Sequence, residues 1–257
     1  MPVKHTFRLL CAVGLAAIAA SCHPPFQPLK FPTNQALYEA SVKKLQGHHW
    51  DDAVAGFEQL STALPARDPL MPIVLFNLGR AYEGKGEDLL AAQSYSRVPE
   101  SFPTDTLADD AMLDAGRAYT RMWRKPTLDD TYGQTAMSTF QTFLALFPTS
   151  PLRDEAQKEI DHLNEWFATK DYDTGLLYFK RHAFDSSIIY LQDVIKTYPQ
   201  TDGARKSMLL LAQAYRKINY REELAETCDT LRQRYPKDGD VQDVCKGVPK
   251  PATAAVP

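Results

Sequence analysis

Residues 75–103 read LFNLGRAYEGKGEDLLAAQSYSRVPESFP, and the spacing inside this stretch decides the fold. Leu75, Leu78 and Tyr82 recur at three- and four-residue intervals, as do Ala91, Tyr95 and Val98. Each run is one face of an α-helix, with none of the sustained alternation of a half-buried strand. Gly79 and Ala91 are small residues placed where two antiparallel helices approach closely, and the large residues fill the space beside them. Pro103 closes the unit after Phe102, because a proline stops a helix and pushes the residue before it out of helical geometry.

The arrangement returns along the chain. Aromatic–proline pairs stand at Phe102-Pro103, Phe147-Pro148, Tyr198-Pro199 and Tyr235-Pro236, with Leu64-Pro65 a weaker first instance, so the closing prolines recur every 37 to 51 residues. Aligned on them, Leu75, Leu78, Gly79, Tyr82, Ala91, Tyr95, Val98 and Pro103 match the tetratricopeptide pattern almost completely. The first unit supplies Leu37, Ser41, Ala53, Phe57 and Leu60; the fourth Gly175, Tyr178, Ser187, Leu191 and Val194; the fifth Met208, Leu211, Ala212, Tyr215, Leu224, Cys228 and Leu231. The chain is predicted to be all-α, a tetratricopeptide-repeat helical solenoid of about five helix pairs. In the third unit Gly116, Tyr119, Ala136, Phe140 and Phe143 fit, but an insertion around 121–132, with Trp123 and Pro126, predicts an enlarged loop. It reads either as drift in a tolerant connection or as a docking feature. Beyond Pro148, Ser150 and Pro151 read as an N-cap and first helical residue. The stripe Leu152, Ala156, Ile160, Leu163 and Phe167 predicts a single helix to about His182. The expected organisation is repeats one to three over 34–148, the long helix with repeats four and five over 149–246, and a disordered tail over 247–257.

The first 33 residues predict an address. Lys4, His5 and Arg8 precede an apolar run over 9–20 that ends in Ala19-Ala20-Ser21-Cys22. A basic start, a short apolar core and small residues before a cut make a secretory signal over 1–21, and the run is too short to span a bilayer. The alternatives are a plain cut near Ala20 and a bacterial lipobox, which the tetrapeptide resembles although Ala19 stands where Leu is commoner. On the second reading Cys22 becomes an acylated amino terminus, held in the membrane by its buried methylenes. Pro24, Pro25, Pro28 and Pro32 make 22–33 an extended tether.

Of the 257 residues 44% are apolar and 24% charged, with a net charge of −3. These values exclude wholesale disorder and a polytopic membrane protein, and leave no electrostatic case for nucleic acid. No phosphate loop, nucleophile elbow or zincin motif is present. The His48-His49 pair lacks the acidic or Cys partners of a metal spacing, and Asp109-Asp110 and Asp129-Asp130 sit where solvated Asp is expected. A binding protein without cofactor or metal is therefore expected, not an enzyme. Cys228 and Cys245, in an oxidising compartment, are expected either to pair or, for Cys228 at a core position, to remain a buried thiol.

A lipobox, a Pro-rich tether and five repeats together resemble the BamD family, lipoproteins of the β-barrel assembly machinery of bacterial outer membranes. The likeness is strongest over 172–215, through Leu177-Tyr178-Phe179-Lys180-Arg181-His182-Ala183-Phe184 and Tyr198-Pro199, and returns over 134–150 with Phe147-Pro148-Thr149-Ser150. The resemblance implies an outer-membrane lipoprotein facing the periplasm, with barrel insertase and other assembly lipoproteins as partners at its carboxy-terminal repeats. It also implies unfolded outer-membrane proteins as clients at its amino-terminal repeats. Lys180, Arg181 and Phe184 are the partner contacts it suggests. From the repeat itself, positions five and nine of each first helix line a concave face: Tyr38 and Val42, Phe76 and Arg80, Leu113 and Arg117, with Arg121 one turn on. Aromatic and aliphatic anchors beside three Arg suit an extended peptide with a terminal carboxylate. The rival readings are a repeat coordinator of the Tol-Pal constriction system and a glycan-binding uptake lipoprotein.

Overall fold

The computed structural model describes residues 26–250; the expected signal segment, Cys22 and residues 251–257 of the expected tail lie outside them. Among the described residues there are eleven α-helices and no strand: α1 (Asn34–Gln46), α2 (Trp50–Ala63), α3 (Met71–Lys85), α4 (Asp88–Ser101), α5 (Ala108–Met122), α6 (Thr131–Leu146), α7 (Arg153–Lys180), α8 (Phe184–Thr197), α9 (Asp202–Ile218), α10 (Arg221–Arg234) and α11 (Gly239–Val244). The expected all-α fold of paired helices is what the described residues form.

The punctuation of the repeats is visible in the backbone. Phe102, Phe147, Tyr198 and Tyr235, each before a proline, share one conformation (φ −117 to −135°, ψ 53 to 61°) and each donates its N–H to the carbonyl four residues back. The following ring disfavours the α region at these residues, so α4, α6, α8 and α10 all stop the same way. The turns inside repeats one, two, four and five share a second signature, a left-handed residue: His48, Gly86, His182 and Asn219, with φ between 57° and 77°.

The described chain divides into two compact units, one ending at Gly86 and one starting at Glu87. In the first, α2 packs against both α1 and α3 around Leu37, Leu45, Ala53, Phe57 and Leu60. Thr33 caps α1 by accepting the Ala36 N–H at 3.1 Å. Residues 26–33, expected as free tether, are packed onto this unit.

The second unit runs from α4 to α11 and holds two cores joined by the 28-residue α7. In one, Leu163 and Phe167 of α7 pack with Leu113, Trp123, Phe140 and Phe143. In the other, Tyr172, Leu176 and Phe179 of the same helix lie against Leu191, Met208, Leu211, Tyr215, Cys228 and Leu231. α7 serves both cores. The helix starts at Arg153, later than the Ser150 cap expected. The Ser150 hydroxyl accepts the Leu152 N–H at 3.1 Å and donates to Asp109 at 2.7 Å, tying the turn to α5.

The insertion in the third repeat is an irregular segment between Met122 and Thr131 whose Trp123 folds inward, 1% exposed. Its indole lies against Trp166, at 5.4 Å between ring centres, and against Phe167, at 4.6 Å. A Cβ on Gly133 would come within 2.2 Å of that indole, so this position requires glycine. Gly116 does the same for Phe140, at 2.5 Å, which is the close approach the repeat pattern predicts.

At the carboxy terminus, a disulfide joins Cys228 on α10 to Cys245 just after α11. Arg232 donates to the carbonyls of Cys245 and Val248, at 2.7 and 2.9 Å. Val248 also packs on the core, so the chain is held beyond 247, where the free tail was expected to begin.

Candidate functional site

The first unit carries an open cleft of about 420 Å³ lined by Val42, Leu45, Trp50, Asn77, Arg80 and Glu83, among others. Its apolar wall exists because α3 presses its backbone at Gly84 onto the Trp50 indole, where a Cβ would come within 2.5 Å. The edge of His48 supports the same ring, with centres 4.7 Å apart. Asn77 is 5% exposed, while Arg80 is solvent-exposed; among the described residues no carboxylate pairs with Arg80. The cleft therefore joins an aromatic and aliphatic wall to one available guanidinium. Tyr38 is half-buried and spends its ring on Phe57, edge-on at 6.3 Å, and Phe76 is half-buried on α3. Neither lines the cleft.

The remaining residues of the expected groove lie in the second unit and are occupied. Leu113 is 2% exposed and belongs to the core around Phe140, which removes it from any binding surface. Arg117 donates to Glu155 at 2.6 Å and Glu159 at 2.9 Å, with Asp114 at 3.5 Å. Partial burial lowers its pKa, but the two hydrogen-bonded carboxylates outweigh that and hold it above the ordinary value. Arg121 bonds Asp88 at 2.7 Å. Both guanidiniums are struts between helices.

Lys180 and Arg181 are exposed at the end of α7, and Phe184 opens α8, half-buried against Phe179 with ring centres 5.4 Å apart. Sequence reasoning missed the surface beside them. Ile189 is 67% exposed and Leu177 45%, and Tyr178 stacks on Tyr190 at 5.3 Å, with the planes 11° apart. A signal was present: Ile188, Ile189, Tyr190 and Leu191 are four consecutive apolar residues, and a helix packed on one side buries only part of such a run. Ile188 and Leu191 take the core.

A second cleft of about 340 Å³ lies between α7, α9 and α11, with Tyr172, Leu209, Gln213 and Val244 in its lining. Burial raises the Tyr172 pKa. Among the described residues no group of three His, Cys, Asp or Glu side chains is placed to hold a metal, and no helix is long and apolar enough to cross a membrane.

Residues 32–231 match the family model described as outer membrane lipoprotein (YfiO). The outer membrane protein assembly factor BamD of Vibrio cholerae is 25% identical over 201 residues, covering 74% of this chain and 83% of that protein. The BamD of Caulobacter vibrioides is 20% identical over 230 residues, covering 90% and 75%, and that of Pasteurella multocida 21% over 237 residues, covering 86% and 87%. The resemblance read from the repeats and the Lys180-Arg181 turn is borne out: the chain belongs to the outer membrane lipoprotein family whose relatives include the BamD assembly factors.

Proposed function

We propose that this protein is a scaffold of outer-membrane protein assembly, acting by binding and not by catalysis, anchored through acyl chains on Cys22 and facing the periplasm. The observation that carries this reading is the family match through nearly all of the repeat array, residues 32–231. The carboxy-terminal repeats dock the barrel insertase and neighbouring assembly lipoproteins. Lys180, Arg181 and Phe184 supply charge and an aromatic edge, and Leu177, Ile189 and Tyr190 give the apolar area that a stable contact needs at its centre. The first unit receives unfolded barrel precursors. Its cleft admits one bulky side chain against Trp50, Val42 and Leu45, with Arg80 placed to bind a carboxylate through a charge-assisted hydrogen bond.

The test is a mild-detergent pull-down of the tagged full-length protein from its native envelope, with partners identified by mass spectrometry. Recovery of a large β-barrel protein carrying periplasmic repeat domains, lost on Ile189→Asp, is expected. Recovery of constriction-system or uptake-system proteins in its place would contradict the reading and leave a repeat scaffold of another envelope system.

A further inference from the structure

The segment expected to be a free tether is docked. Phe26 is half-buried, and its ring lies 3.2 Å from where a Cβ of Gly56 on α2 would stand. The ammonium of Lys44, on α1, sits 5.3 Å above that ring and is itself held by Asp52 at 2.6 Å. Phe31 closes on Phe26 with ring centres 5.5 Å apart. Between them Pro28–Lys30 forms a single 3₁₀ turn, its end fixed by the Phe31 N–H on the Pro28 carbonyl, and this turn packs against α2. The turn buries none of its residues. Leu29 is 81% exposed, the largest exposure among the large apolar side chains of the described residues, with exposed Lys30 beside it.

Docking at Phe26 shortens the leash. From Cys22 to Phe26 the chain reaches at most about 14 Å, whatever conformation it takes, against about 38 Å if it were free as far as Thr33. We propose that residues 26–31 form a membrane-seating collar: fixed on α1 and α2, they hold the first repeat close to the bilayer and set Leu29 and Lys30 against its surface. An aliphatic side chain entering the boundary between headgroups and acyl chains, with a neighbouring ammonium among the phosphates, is the chemistry of an interfacial contact. The inference rests on acylation of Cys22, which belongs to the proposed function. It adds that the anchor orients the first unit as well as retaining it.

The experiment uses the full-length acylated protein in vesicles of phosphatidylethanolamine and phosphatidylglycerol. An environment-sensitive fluorophore is placed on Leu29→Cys; Cys228 and Cys245 are paired and do not compete for it. A nitroxide on the lipid headgroup is expected to quench the label strongly. Adding Phe26→Ala or, more gently, Lys44→Gln is expected to remove most of that quenching while the protein still floats with the vesicles. Flotation with an unquenched label overturns the collar and leaves the anchor intact. Quenching unchanged by both variants overturns the docking of the collar as its cause. A protein that does not float, behaving like Cys22→Ser, overturns the anchor and the collar with it.

Discussion

Arg80 and Arg117 occupy the same position in the second and third repeats, yet the structure gives them opposite employment. Arg80 stands at an open cleft beside Trp50 and Asn77. Arg117 is gripped by Glu155 and Glu159, which reach it from α7. A repeat register fixes which way a side chain points; what it meets there is decided by whichever helix comes next. Where α7 follows, a ligand-facing position becomes a strut. Under the proposed function the client surface is assigned to the first unit, and the third repeat is a structural hub.

The comparison is broken most severely through the hub. Phe140 is fully buried against Gly116 and the α7 stripe, so Phe140→Ala is expected to cost about 3–5 kcal/mol, read from urea unfolding. A next-largest effect is expected at the carboxy terminus. Replacing Cys228 and Cys245 together by Ser opens a loop with a sequence separation of 17, and is expected to cost about 3 kcal/mol on a chain-entropy estimate. Hydrogen exchange should show that loss first in α10 and α11, and no loss in the first unit would be expected.

The arginine pair sharpens the contrast. Arg117→Ala is expected to cost about 1 kcal/mol, because the network is partly exposed to solvent, with little change in client binding. Arg80→Ala is expected to leave stability within about 0.5 kcal/mol and to weaken client binding. A double-mutant cycle of Arg117 with Glu159 would show coupling; Arg80 should show none with either glutamate.

The smallest effect is one of pH. Burial, then Asp171, Asp193 and Asp130, push the Tyr198 phenol up to about 12. A group whose folded pKa lies above its unfolded value of about 10 stabilises fully below that value and loses the contribution as pH rises through 12. The second unit is expected to weaken between pH 10 and 12, and Tyr198→Phe to flatten that slope.

Much of this was legible in the sequence because it is local. The aromatic–proline pairs dictate their own backbone, and the small residues Gly116 and Ala136 announce a helix crossing through spacing alone. The close approach of Gly116 to Phe140 followed from that register. What escaped depends on contacts far apart in the chain. Glu155 and Glu159 lie 38 and 42 residues from Arg117, and nothing near Arg117 signals them. Trp123 looked like loop, though its partners Gly133, Trp166 and Phe167 make it core. Phe26 looked like tether, because its seat on Gly56 is formed only once α1 and α2 have paired.

The central claim is that the client surface lies in the first unit and centres on Arg80. It is tested most directly by the affinity of the full chain for a peptide ending in the carboxy-terminal strand of an outer-membrane barrel protein, compared between wild type, Arg80→Ala and Arg117→Ala. About a tenfold loss for Arg80→Ala, the scale of one charge-assisted hydrogen bond, with Arg117→Ala unchanged, is the predicted result. Equal losses in both variants, or a loss in Arg117→Ala alone, would contradict it.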